Sequence, residues 1–564
     1  MTAVRRLITI FLLSLAATAL FAQETPAPRS TEAVTAETDQ DVNHPRALQL
    51  SLDQAIRTAM ERNLGVSLQE FEYQEAGYSL RSQYGIWDWL ATARIQEFNT
   101  QPPVTSTIQA SGIRSHTVNV GVSQNLPTGG GYSLGFNNSR TATSGGVSTV
   151  SPNYSPNLAF GLNQPLLRDF GIDVNRRGIT IARNTLGINH ELFRTQLMNT
   201  AVSVEQAYLD LVYARRAVEV VKESLFLARD QARITQIRID VGASAPLDIL
   251  QPRVTIATTE EQLIISVANV RSAEDQLRAL LNLEPSEWDR PIVPTDNVQY
   301  TPVAIDVDAA VRKALELRPE LRQDELNTDT RRVQYLFARN QVLPQVDFDL
   351  NYNLSGVAGN AAVIDPITQR PTGAIETIPY GRGLRQIAEL DFPEWTIGFT
   401  VGVPITNIGA RAEARRAQLD LEQSRVFQQQ TRQTVAVDVR QAARNVDTAA
   451  RSIVATRAAR DAAERNVEAE RKRYENGMTT NFQVLEVQQQ LSDARVRELN
   501  ALVGYNRAVA LYHRAVGDIL DVRNITVDVP ELPQEPRVFT SLDRYNWLNY
   551  GSRVQPEGQS NDDN

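Results

Sequence analysis

From Arg411 to Asn476 the chain contains neither glycine nor proline. Ala, Arg, Gln, Glu and Val dominate this stretch, and all of them tolerate a helix, so nothing interrupts one along its whole length. At about 1.5 Å per residue such a helix is roughly 100 Å long, several times the mean in globular domains. Val439, Val446 and Ile453 recur at heptad spacing with Ala443 and Ala450 beside them, a narrow seam for packing against other helices. A rod of that length cannot bury itself in one compact domain, so the sequence points to an elongated construction.

The remaining features say where such a rod is used. Met1 to Ala22 reads as a secretory signal: Arg5 and Arg6, an apolar run from Leu7 to Leu20, then small residues. Residues 23–47 are rich in Pro, Thr, Glu and Ala and are expected to be a flexible lead-in. After the signal no run approaches the roughly 20 apolar residues of a transmembrane helix. There is no cysteine, so an exported chain could carry neither a disulfide nor a lipid on an N-terminal Cys. A net charge of −9 argues against nucleic acid as a partner. Four scattered histidines (His44, His116, His190 and His513) and no phosphate-binding loop give little material for catalysis, a metal or a cofactor, and none is assigned.

The 564-residue chain is internally duplicated. Ser51 to Leu64 opens a helix with a Ser/Asp cap, and Asp306 to Pro319 repeats it: Asp53 matches Asp308, Arg57 Arg312, Ala59 Ala314 and Glu61 Glu316. Phe160-x4-Pro165 matches Phe399-x4-Pro404, and Pro165 and Pro404 mark strand-to-helix junctions. Arg238 to Leu250 matches Arg473 to Leu485, each around a glycine turn. The expected organisation is a first repeat over 48–283, a linker over 284–305, a second repeat over 306–529 and a polar tail over 530–564. Long helices are expected from about Asn175 to Val241 and Ala410 to Asn476, returning over Pro246–Leu283 and Thr480–Val516.

Between the helices the period changes to two. Val346, Phe348, Leu350, Tyr352 and Leu354 alternate with Asp347, Asp349, Asn351 and Asn353, and Trp395 to Val403 alternate likewise. Such strands have one apolar and one polar face and are long enough to cross a bilayer, with Asp347 and Asp349 lining the interior. A soluble sandwich also alternates, but it has no use for the rods. Trp87, Trp89 and Trp395 are expected at the strand ends nearest the helices. The first repeat offers Trp89–Phe98 and Leu158–Gln164. It also holds a hairpin signal in which Thr117–Gln124 and Tyr132–Ser139 flank Pro127–Gly131. Each chain therefore supplies four strands, or six if the hairpin joins. Either number is too small to close a barrel, and an open edge cannot face lipid, so copies must share one.

The paired openings SLDQAIRTAMERN and DAAVRKALELRP, QPLLRDFG, VPITNIGARA and the turns DVGASAPLDIL and ENGMTTNFQVL together resemble the TolC family of outer-membrane efflux ducts over about Leu48 to Val529. The resemblance implies a membrane α+β fold: a homotrimeric transmembrane β-barrel continued by a long α-helical barrel across the periplasm. A collar built from the shorter segments encircles it. It implies location in the outer membrane of a Gram-negative-type envelope, contact with outer-membrane lipid, and no enzymatic activity. It implies partners as well: a periplasmic adaptor and an inner-membrane RND, ABC or MFS pump, serving efflux or type I secretion.

By the same resemblance Gly242, Ala243 and Ser244, with Gly477, Met478 and Thr479, form the tips on which the adaptor docks. Asp248, Tyr474, Gln483 and Glu486 ring the periplasmic aperture. This sequence departs from the family pattern with Thr479 where an Arg is expected and Gln483 where an Asp is expected. A charge-assisted latch is thereby exchanged for neutral hydrogen bonds, which predicts a weakly latched entrance. The competing reading is a periplasmic coiled-coil adaptor, which shares the long hairpins but lacks lipid-facing strands.

Overall fold

In a computed structural model, the structure describes residues 47–533, apart from 104, 106–108, 146, 147, 149, 365, 366, 368–370, 527 and 528. The expected signal, lead-in and most of the polar tail lie outside the described residues. In chain order the elements are β1 (Leu48–Leu50), α1 (Leu52–Arg62), α2 (Leu64–Gln83), β2 (Leu90–Thr100), β3 (Gly112–Asn125), β4 (Gly131–Ser144) and β5 (Val150–Pro165). There follow α3 (Arg177–Asp240), α4 (Leu250–Leu281), β6 (Ile292–Pro294), α5 (Val307–Leu317), α6 (Pro319–Asn340), β7 (Gln345–Ser355), β8 (Ala358–Ile364) and β9 (Pro371–Ile378). The last are α7 (Tyr380–Glu389), β10 (Pro393–Gly402), α8 (Ile408–Glu475) and α9 (Asn481–Val516). The two long helices have 64 and 68 residues. The described residues form two units, one from the chain up to residue 67 with 196–317 and 435–526, the other from 68–195 and 318–434 with what is described beyond 528. Each unit draws on both repeats.

The first unit is helical. Its two short helices start alike: Ser51 Oγ accepts from Gln54 N while Gln54 Oε1 accepts from Ser51 N, and Asp306 Oδ1 accepts from the N–H groups of Asp308 and Ala309. The repeat partners Ala59 and Ala314 are both fully buried. On α8, Val439, Val446 and Ile453 are buried as the heptad spacing requires, and Val446 and Ile453 pack with Tyr505 of α9. The stretch expected as a linker is held in place. Its β6 pairs in parallel with β1, the Tyr208 hydroxyl lies 3.1 Å from both the Leu50 carbonyl and the Asp296 carboxylate, and the Tyr505 hydroxyl donates to the Thr301 carbonyl at 2.8 Å.

The second unit is built on one antiparallel sheet in the order β10-β7-β5-β4-β3-β2, with β8 and β9 attached beside β5. The hairpin that the sequence left open is part of it: β3 pairs with β2 from Leu90↔Ser123 to Thr100↔Ile113, and β4 pairs with β5 from Gly131↔Asn163 to Thr141↔Asn153. Its turn is pinned where helices begin, because Gly171 N donates to the Thr128 carbonyl. Gly129 has φ +98°, and a Cβ there would lie 2.2 Å from the Asp169 carbonyl oxygen, so only glycine fits.

One expectation is corrected. Trp89 does lie at the helix-bearing end of the sheet, edge-on to Tyr132 at 5.7 Å. Trp395, however, pairs with Tyr352 near the start of β10, at the opposite end. Alternation reveals which face a residue takes but not which way its strand runs. Trp87 is buried before β2, packed with Leu80, Tyr84 and Ile179.

Candidate functional site

The candidate functional residues fall in two places: the helical turns of the first unit and the two faces of the sheet in the second. The turns are built identically. After α3, Gly242 takes φ +76°, its N–H reaches the Ile239 carbonyl, and Ala243 N donates to the Arg238 carbonyl at 2.7 Å. After α8, Gly477 takes φ +72°, its N–H reaches the Tyr474 carbonyl, and Met478 N donates to the Arg473 carbonyl at 2.9 Å. This six-to-one closure satisfies carbonyls that a helix end otherwise leaves unmade, and it needs a left-handed residue.

Around the turns Ala243, Ser244, Met478 and Thr479 are accessible, and so are several large apolar side chains: Val241, Leu247 and Leu250 on one side, Met478 and Phe482 on the other. Such a cluster has nothing to cover it within the described chain. The sequence reading picked out the turns but not these apolar neighbours.

The four aperture candidates divide. Gln483 and Glu486 are exposed and one turn apart on α9. Asp248 is exposed as well, but its carboxylate accepts from Ala245 N at 3.0 Å and so closes the short turn Pro246–Ile249 ahead of α4. Tyr474 is only 5% exposed and faces Arg238, whose guanidinium lies 4.0 Å from the ring centroid. The same guanidinium donates to the Tyr474 carbonyl at 2.8 Å, placing a cation on the last carbonyls of α8. Arg238 thus ties the first turn to the second. Sequence reasoning passed over it, although it sits at the repeat position of Arg473, whose own guanidinium stays on its helix with Glu470 at 3.2 Å.

In the sheet, cross-strand register sorts the side chains into two faces. One carries rows such as Ala93–Val120–Phe136–Leu158–Leu354 and Ala91–Val122–Leu134–Phe160–Tyr352–Trp395. Ile95 on this face is 83% exposed and Phe399 is 65% exposed. The other face carries Thr92, Asn119, Asn137, Asn157, Asn163, Asp347 and Asp349, where Asn163 Nδ2 donates to Asp349 Oδ1 at 2.7 Å. An exposed apolar face of this extent is larger than a soluble monomer ordinarily leaves to water. Pro165 and Pro404 stand where β5 and β10 give way to the chain leading into α3 and α8. Both edge strands, β2 and β10, lack a partner on their outer side among the described residues.

Among the described residues no helix is long and apolar enough to cross a membrane, and no group of acidic residues and histidines is arranged to hold a metal. A family model described as outer membrane efflux protein matches residues 131–283 and 310–517. The chain is 20% identical over 426 residues to the outer membrane efflux protein BepC of Brucella suis biovar 1 (strain 1330), a match covering 76% of this chain and 84% of that one. It is 22% identical to the outer membrane protein TolC of Escherichia coli (strain K12), over 58% of this chain and 63% of the relative. Among solved structures, the Campylobacter jejuni CmeC outer membrane channel matches with TM-score 0.61 and 14% identity, covering 89% and 90% of the two chains.

Proposed function

This chain belongs to the outer membrane efflux protein family, and from that premise we propose how its own residues make a conduit. It is an outer-membrane efflux channel, and nothing in the comparisons favours an adaptor. The observation that carries the mechanism is the six-strand path with one apolar face and two open edges. Six antiparallel strands leave β2 and β10 running in opposite directions, so β2 of one copy can pair antiparallel with β10 of the next. Three copies then close a barrel of about eighteen strands with no edge exposed to lipid. The apolar face meets the bilayer, and Asp347, Asp349 and the asparagines line a wet interior.

The helices of three copies enclose a tunnel, and the turns at Gly242 and Gly477 ring one of its mouths. Their exposed apolar residues suit a helical partner laid against them, an adaptor that brings an inner-membrane pump to the mouth. Glu486 and Gln483, repeated by symmetry, narrow that mouth. Transport is passive: the channel supplies a wall, and the pump supplies the energy.

A cysteine-free chain makes the test direct. Cysteine pairs placed in β2 and β10, scanned along the two strands, should yield a ladder on gels that ends at three chains. The same protein in a planar bilayer should form discrete conducting channels. Monomeric protein with no cross-links and no conductance would sink the proposal.

A further inference from the structure

The apolar face of the sheet stops abruptly at the end away from the long helices, and what replaces it is cationic. The row beyond Ile95–Val118 reads Glu97–His116–Arg140–Tyr154 across four strands, with Arg114 one row further out. Arg114 is matched, because its Nε lies 3.2 Å from Glu97. Arg140 is not: its Nε donates to the neutral Tyr154 hydroxyl at 3.1 Å and its guanidinium lies over that ring, 5.8 Å from the centroid, with no carboxylate paired to it among the described residues.

On this same face lies α7. Gly383 packs into the sheet so closely that a Cβ would come within 3.3 Å of Pro156, and Tyr380 stands edge-on to Tyr154 at 6.0 Å. Pro156 and Tyr154 have the parity of Leu158 and Phe160, so the helix rests on the apolar side. Its outward side presents Arg382 and Arg385, both exposed and neither with a side-chain acceptor among the described residues. Glu389, in its last turn, is the carboxylate on that side. Leu384, Leu390 and Phe392 stand exposed beside the arginines. A short helix with one side docked, arginines outward and apolar residues between them matches the chemistry of a membrane interface.

We propose that Arg140, Arg382 and Arg385 form a binding ledge for phosphate-bearing lipid headgroups of the outer leaflet, with the acyl chains lying along the apolar rows below. This rests on the reading of the sheet as membrane-embedded. Guanidinium forks match phosphate oxygens, and close to an anionic surface each such cation adds to the attraction. The ledge orients the barrel in depth: α7 cannot sink further without burying two charges, nor rise without exposing the apolar rows.

Full-length protein reconstituted in phosphatidylcholine vesicles, with trace spin-labelled phosphatidic acid or spin-labelled phosphatidylcholine, tests it by electron spin resonance of the motionally restricted lipid. Phosphatidic acid should associate at least about fivefold more strongly than phosphatidylcholine. That preference should fall in R382Q/R385Q, disappear in R140Q/R382Q/R385Q and persist in R451Q, a change on α8 outside the sheet. The double variant alters only exposed side chains, so it keeps the test valid if Arg140 is needed for folding. Restricted lipid with no headgroup preference, or a preference that survives the triple substitution, overturns the ledge alone. No restricted lipid of either kind overturns the membrane reading itself, and the ledge with it.

Discussion

Tyr208 and Tyr505 hold one stretch of chain from two positions, and the first shows what burial does to a phenol. Burial, reinforced by the Asp296 carboxylate, pushes the Tyr208 hydroxyl up to about 12. A group whose acidity is weakened by folding contributes stability that is complete below its unfolded value near 10 and is lost as pH rises through its folded value. Thermal unfolding should therefore fall steeply between pH 10 and 12, and Tyr208→Phe should flatten that fall while lowering stability at neutral pH by about 1 kcal/mol through the lost hydroxyl bonds. An equally steep fall in the variant would refute the assignment. Arg238 is the second residue with a distinct role. Removing it leaves the last carbonyls of α8 without their cation, a local loss of about 1–2 kcal/mol. Arg238→Ala should speed proteolysis within residues 470–480 while cleavage elsewhere stays at the wild-type rate, and Arg238→Lys should restore protection only in part, because an ammonium lacks the planar fork.

At the scale of elements, the β3–β4 hairpin is the clearest departure from a four-strand design. Without it β2 and β5 still run antiparallel and could pair directly, because the hairpin adds two strands and reverses direction twice. Replacing residues 112–144 by a short turn should leave an assembled but narrower barrel. The largest polymer that enters from the barrel side and blocks conductance should shrink in radius by about a third; an unchanged cut-off would mean that the hairpin lies outside the wall. Much of this was legible in the sequence. The long helices, their turns and β2, β5, β7 and β10 could be read because a period of 3.6 or 2 persists over many residues. The segment from β8 to α7 could not. Tyr380–Glu389 carries Gly381 and Gly383, which argue against a helix, and the need for glycine at 383 comes from its close approach to Pro156 of the sheet, which no local pattern announces. Arg238 was overlooked because its partner lies 236 residues away in sequence.

For the whole molecule, the proposed threefold assembly would turn single residues into rings. Glu486 is one exposed carboxylate on one chain, but in the proposed trimer three copies would ring a narrow mouth and select for cations. Glu486→Gln should lower the cation preference read from the reversal potential in a salt gradient without abolishing conductance, and an unchanged potential would place Glu486 away from the path. With Thr479 and Gln483 in place of charged latch partners, the resting channel should also leak more than one closed by ion pairs. The pinned turn at Thr128–Gly129 has a separate consequence. In the proposed barrel, a hairpin anchored there would enlarge the girth of the ribbon wall by two strands per subunit and add no rod to the tube. The calibre of such a wall could then change over evolution with the size of what passes it, while the helices and their turns kept the surface they offer a partner.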